Sequence, residues 1–227
     1  MIINLSPIVS FVEKHRAKFY FVLSLSLIFL VLRNPIIAWD TLAYHIPFAA
    51  KLMKLQNYQD FSLISDYYRE QIFHRYDGFP MFPYFLQGII YSATGSLKYL
   101  VLISVLSFLL FVYSAKKLFN VKPVFLAVTC LSVPLIAIHI HSSYIDLYCG
   151  VLISLLTLVT IRICDYSEPP KLNYIFAFGI LSLICGQSKI FTLPFVYLLS
   201  VFNIFMVYRS TLAKNLKRNL ILFFALA

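Results

Sequence analysis

The sequence predicts an all-α fold, a polytopic transmembrane helical bundle, and three observations predict it. Of 227 residues, 61% are hydrophobic, 17% aromatic and 12% charged, with a mean hydropathy of +0.84. A soluble domain carries roughly 25% charged residues, which this composition cannot supply. The apolar residues fall in runs as long as a bilayer core is thick, and the Lys and Arg cluster between those runs.

A helix needs about 20 mainly apolar residues to cross, and about 17 suffice. Six runs qualify: 19–39, 99–115, 124–140, 147–163, 172–187 and 190–208. Glu13, Lys14, Arg16 and Lys18 precede the first, and no small-residue cleavage site follows, so it reads as a span rather than a removable signal. Residues 1–18 then form a cytoplasmic tail. The run 81–94 is shorter and contains Pro83, Gln87 and Gly88.

Cytoplasmic flanks are enriched in Lys and Arg, and that bias decides whether 81–94 crosses. If it stays at the surface, Lys14, Arg16, Lys18, Lys116, Lys117, Lys122, Arg162, Lys171, Arg209, Lys214, Lys217 and Arg218 face inward, twelve of the nineteen. If it crosses, five remain inside. The first arrangement is expected, with a long first extracytoplasmic loop at 40–98, a tight outer turn at 141–146 and another near Lys189. Within the loop, the segment 48–56 spaces its apolar residues for one helix face, with Lys51 and Lys54 opposite, as an interfacial helix does. The run 219–227 begins like a seventh span and supplies nine residues, so residues 1–227 read as the N-terminal part of a transmembrane domain whose C-terminal remainder is missing.

The net charge of +10 is spread as juxtamembrane clusters, which argues against nucleic acid as a partner. Cys130, Cys149, Cys164 and Cys185 show no metal-ligand spacing and read as small hydrophobes. No internal repeat or low-complexity tract interrupts the pattern.

In this topology six of the nine acids lie outside (Asp40, Asp60, Asp66, Glu70, Asp77, Asp146), together with His45, His74, His139 and His141. Asp40 follows Trp39 where the first span leaves the membrane, in WDTLAYHIP. A carboxylate at that dielectric edge seeks a metal, a cation or a polar substrate, or else is a helix-end acid hydrated among headgroups. Tyr44 shares its face in a helix and His45 is adjacent. Asp146, in IHIHSSYIDLY, sits between two apolar runs and reads as a functional acid or as part of a hydrated turn. Lys189, in GQSK, is a lone cation that either snorkels to headgroups or meets an anionic substrate. His139 and His141 alternate instead of taking the i, i+4 spacing of a helical metal pair. The stretch 66–85 mixes Tyr and Phe with Arg69, His74 and Arg75, a composition of sugar-stacking, phosphate-gripping sites and equally of an interfacial belt.

These segments, in this order, resemble the C-type (GT-C) membrane glycosyltransferases, and among them the protein-mannosyltransferase-like bacterial branch. The matching elements are Trp39-Asp40 through Tyr44-His45-Ile46-Pro47, the aromatic stretch 79–88, the 142–146 turn and GQSK at 186–189. The resemblance implies transfer of a sugar from a polyprenyl-phosphate donor to a lipid, glycan or protein acceptor, in the plasma (inner) membrane with the active site extracytoplasmic. It implies Asp40 as catalytic base and Asp146 as a second catalytic acid that holds a divalent metal or orients the acceptor. It also implies Lys189 as the ligand of the carrier phosphate. Tyr44, His45, Arg69 and Arg75 are looser substrate-binding candidates, and a divalent metal would draw on Asp40, Asp146 and His74. Two other classes fit the composition: a multi-pass transporter or flippase, which would carry ionisable residues near mid-span, and a non-catalytic membrane fragment.

Overall fold

The computed structural model describes residues 16–33, 35–37, 49, 82–165, 171–209, 217–218, 221 and 223–225. Its elements are α1 (Arg16–Arg33), α2 (Phe82–Thr94), a 3-10 turn (Leu97–Val101) continuous with α3 (Leu102–Phe119), α4 (Pro123–Leu131), α5 (Pro134–Ile140), α6 (Asp146–Ile163), α7 (Leu172–Gly186), and a 3-10 turn (Ile190–Thr192) continuous with α8 (Leu193–Arg209). Among the described residues there is no β-strand beyond an isolated bridge between Ile36 and Ser142.

Three helical stretches are long and apolar enough to cross a bilayer: Leu97–Phe119, Asp146–Ile163 and Ile190–Tyr208. At about 1.5 Å per residue, these approach or exceed the roughly 30 Å of a hydrocarbon core. The pair α4 and α5 makes a fourth if counted as one span. The outward faces are as apolar as the interior: Phe176, Leu183, Leu198 and Phe125 are exposed. Lipid, rather than water, tolerates that surface.

Two of the expected runs differ in shape from a straight rod. The run 124–140 is two helices bent by 99°. Pro134 causes the break: it has no N–H to donate, and it holds the preceding Val133 extended at φ −81°, ψ 112°. The run 19–39 is helical as far as Arg33, ahead of Pro35, and residues 35–37 leave the helix to pair with the 141–143 segment.

Named contacts give the helix directions. Ser104 near the start of α3 and the turn before α6 meet at one end, where Ser104 Oγ donates to Ser142 O at 3.0 Å. At the opposite end Arg162 of α6 donates to the carbonyl of Leu118 in α3. The two central helices are therefore parallel, and α4–α5 carries the chain back between them by its bent path. α1 is antiparallel to α3, since Lys116 Nζ lies 4.9 Å from the Tyr20 ring while Ile36 pairs with His141 and Ser143. α7 returns to the Ser142 end, where Gln187 O accepts from Phe82 N at 2.9 Å. α8 descends again, so that Asn203 Nδ2 reaches Thr160 Oγ1 at 3.3 Å. α2 begins at the Ser142 end, where Phe82 N meets Gln187 O, and leads through Gly95 into the start of the α3 stretch. Gly95 closes α2 with φ +64°, a left-handed stop that suits glycine.

The core forms two adjoining clusters. Ile103, Leu156, Phe178 and Val196 join α3, α6, α7 and α8, while Val31, Val105, Phe108 and Ile140 join α1, α3 and α5. Phe223 and Phe224 pack on α7, where Gly179 admits them: a Cβ there would lie 2.8 Å from the Phe223 ring. Lys116, Lys117, Lys122, Arg162 and Lys171 mark one end of the bundle, and Asp146 and Lys189 mark the other.

In a background freed of the native cysteines, Lys98→Cys and Lys122→Cys in sealed membrane vesicles are expected to react with an impermeant maleimide from opposite sides. Labelling of both from one side would overturn the alternation of α3 and the bent pair.

Candidate functional site

The site begins with a turn that has little water to satisfy it. Residues 141–145 join α5 to α6, and Ser142 and Ser143 are fully buried. Buried carbonyls and amides need partners, and three separate segments provide them. Ile36 N donates to His141 O at 2.7 Å and Ser143 N donates to Ile36 O at 3.0 Å. Gln87 Nε2 of α2 donates to Ser143 O at 3.0 Å. Ser104 Oγ of α3 serves Ser142 O at 3.0 Å and Tyr144 O at 3.2 Å.

The turn thus fixed delivers Asp146 as the first residue of α6. The first helical turn has unpaired N–H groups and the positive end of the dipole, which favour a carboxylate. Lys189 arrives from the other side, in the turn after α7. Ser188 Oγ donates to Ile184 O at 2.5 Å, and Thr192 Oγ1 donates to Lys189 O at 2.6 Å. These bonds close GQSK into a compact turn and aim its lysine. Lys189 Nζ donates to Asp146 Oδ1 at 2.5 Å and stands 4.8 Å from the Phe191 ring centroid.

Exposure decides how strong this ion pair is. Asp146 is 41% and Lys189 27% exposed, so water screens the pair and its worth is near that of a surface bridge, about 1 kcal/mol or less. Such a pair is not what holds four helices together. It places a carboxylate and an ammonium side by side, each open to exchange its partner for a substrate group.

Of the residues expected from sequence to form a site, Asp146 and Lys189 are brought together. Asp40, Tyr44, His45, Arg69, His74 and Arg75 lie outside the described residues, as do the interfacial segment 48–56, apart from Ala49, and most of 66–85. Among the described residues no group of three or more His, Cys, Asp or Glu is placed to hold a metal; two of the three metal candidates, Asp40 and His74, lie outside them. His139 and His141 do not pair: His139 instead sets its ring 5.6 Å from Tyr144.

Sequence reasoning passed over Gln87 and Ser104. Gln87 is completely buried, and its Oε1 has no hydrogen-bond partner among the described residues. A glutamine inside a run of Phe, Leu and Ile was the available signal, because a buried amide in an apolar helix requires a backbone partner to justify its desolvation.

No family model, no curated protein and no solved structure matches this chain.

Because the pair is half-open, Asp146→Asn together with Lys189→Met is expected to leave thermal stability in detergent within about 1 kcal/mol of the parent. Gln87→Leu strips a buried carbonyl of its donor and is expected to cost more, about 1–3 kcal/mol. A larger loss from the ion-pair variant than from Gln87→Leu would reverse the ranking of pair and turn.

Proposed function

We propose that this chain is an integral, multi-pass membrane glycosyltransferase of the C type, moving a sugar from a polyprenyl-phosphate donor to an acceptor at the extracytoplasmic face of the plasma membrane. In this reading about six spans cross, the basic end of the bundle is cytoplasmic as the positive-inside rule requires, and residues 40–98 form the first extracytoplasmic loop.

The observation that carries the reading is the meeting of Asp146 and Lys189 at the same end of the bundle as the exit of the first span. Four segments widely separated in sequence converge there: 35–37 leading to Asp40, the start of α2, the 142–146 turn and GQSK. Ile37 precedes Asp40 by three residues. Sugar transfer from a phosphate needs a carboxylate and a cation at one membrane boundary.

The acceptor hydroxyl oxygen attacks the anomeric carbon and forms the new C–O bond, while the bond from that carbon to the phosphate oxygen breaks. The hydroxyl proton passes to Asp40, acting as general base. The bonding pair leaves on the carrier phosphate, whose charge Lys189 stabilises. Asp146 orients the acceptor, and it would be the described residue to hold a divalent metal if one were bound. Lys189 is suited to this exchange because its present partner is weakly held. The flanking residues Tyr44, His45, Arg69 and Arg75 would grip the donor.

Asp40→Asn is expected to lower transfer from a synthetic polyprenyl-phosphate sugar by about two to four orders of magnitude, the range of a lost general base. Lys189→Met is expected to lower the rate less with donors whose leaving group is already acidic. Unchanged transfer by Asp40→Asn in folded protein would overturn the catalytic assignment.

A further inference from the structure

Beside the ion pair lies a cavity of about 320 Å³ between α3, the α4–α5 bend and α6. Its walls include Phe111, Ile136, Leu147 and Val151, and its polar lining is His139, Asp146 and Ser154, the last with its hydroxyl already donated to Gly150 O at 2.8 Å. The space lies inside the elbow at Pro134, with Cys130 of α4 and Leu135, Ile136 and His139 of α5 on that side. The lip of the bend is greasy: Leu135 is 65% and Ile138 55% exposed. On the α6 side stands Gly150, where an added Cβ would meet nothing within 4 Å. An apolar space with a few convergent polar groups is the ordinary form of a small-molecule site.

The polar groups narrow the occupant. His139 lines the cavity, and its Nδ1 has no hydrogen-bond partner among the described residues; a turn of the ring toward the cavity would let a ligand hydroxyl supply one. Asp146 offers acceptor oxygens, and it rather than Lys189 lines the cavity. A phosphate entering here would meet the carboxylate first. A neutral headgroup bearing hydroxyls suits both side chains, and the apolar walls suit a hydrocarbon chain.

We propose that this cavity binds a membrane amphiphile, its hydrocarbon chain between α3, the bend and α6 and its uncharged hydroxyl headgroup against His139 and Asp146. That this molecule is the sugar acceptor rests on the glycosyltransferase reading; that the cavity holds a lipid does not.

The test uses the full chain in phosphatidylcholine nanodiscs with a monoacylglycerol carrying a mid-chain diazirine, and maps the photo-adducts by peptide mass spectrometry. Adducts at Leu147 and Val151 are expected to exceed those at lipid-facing Leu183 and Leu198 by about tenfold, the ratio that about 1.4 kcal/mol of preference sustains. Gly150→Phe and, independently, Ser154→Phe fill the cavity from successive turns of α6 and are expected to abolish the excess while leaving the Leu183 adducts. Should one variant fail to run as a single species, the other decides. His139→Ala is expected to erase the preference over a probe whose hydroxyls are methylated. Equal labelling of cavity and outer face, or an excess that survives filling, would overturn the site. Stronger labelling by the matching monoacylglycerol phosphate would overturn the uncharged headgroup. If the excess stands while Asp40→Asn leaves transfer unchanged, the lipid site survives and the enzymatic reading fails.

Discussion

The hydrogen bonds that satisfy the buried 141–145 turn are the constraint on which this end of the molecule depends. A turn sandwiched between two apolar helices has backbone groups that water does not reach, and leaving them unpaired costs about 1–3 kcal/mol each. Partners come from the strand-like residues after α1, from Gln87 of α2 and from Ser104 of α3. Satisfying one short turn thereby ties three distant parts of the chain to a single point. The direction of α6, and the placing of Asp146 at its start, follow from that tie.

The bent return between α3 and α6 is the second consequence of backbone chemistry. Two parallel helices need a connection that traverses the bundle, and proline at 134 makes that connection an elbow rather than a rod. Residues of the elbow, of α3 and of α6 together line the cavity beside Asp146. Local geometry imposed by one residue without an N–H thus shapes one side of the space next to the charged pair. The ion pair itself is comparatively weak, and its weakness is compatible with ligand exchange where the turn's buried hydrogen bonds are not.

Much of this was legible in sequence, for reasons that can be named. Apolar run length is tied to bilayer thickness, so the stretches 99–115, 147–163 and 190–208 were read close to their helical bounds. The alternation of charge clusters predicts that 81–94 stays at the surface, and α2 starts at the Ser142 end, where Phe82 N meets Gln187 O and Gln87 meets Ser143 O. Proximity of Asp146 and Lys189 was legible only as common sidedness, because a separation of 43 positions says nothing of a 2.5 Å contact. The break at Pro134 was missed since hydropathy averages over a run and does not see a single absent donor. Gln87 and Ser104 were missed because one polar residue in an apolar run has no fixed meaning until its partner carbonyl is known. Residues such as Asp40 and Arg69 stand outside the described part of the chain, so their roles rest on pattern alone.

The distribution of charge along the helices bears on which class of membrane protein this is. A transporter or ion pump carries ionisable residues near mid-span, where they line the path and relay the cargo. In α3, α6, α7 and α8 the charged residues stand at the ends: Lys116 and Lys117, then Asp146 and Arg162. The buried polar groups further inside are neutral, namely Thr160, Ser182, Ser200 and Asn203. Asn203 is occupied by Thr160 and by Cys164, whose Sγ donates to Asn203 Oδ1 at 3.4 Å. The bond from Asn203 to Thr160 ties α8 to α6, worth about 0.6–2 kcal/mol in a bilayer, and these neutral groups offer a moving ion no charge to follow. Among the described residues a carboxylate, an ammonium and an apolar cavity adjoin at one end of the bundle. The glycosyltransferase proposed above would draw on that combination, whereas a conduit through the membrane would draw on charges placed near mid-span.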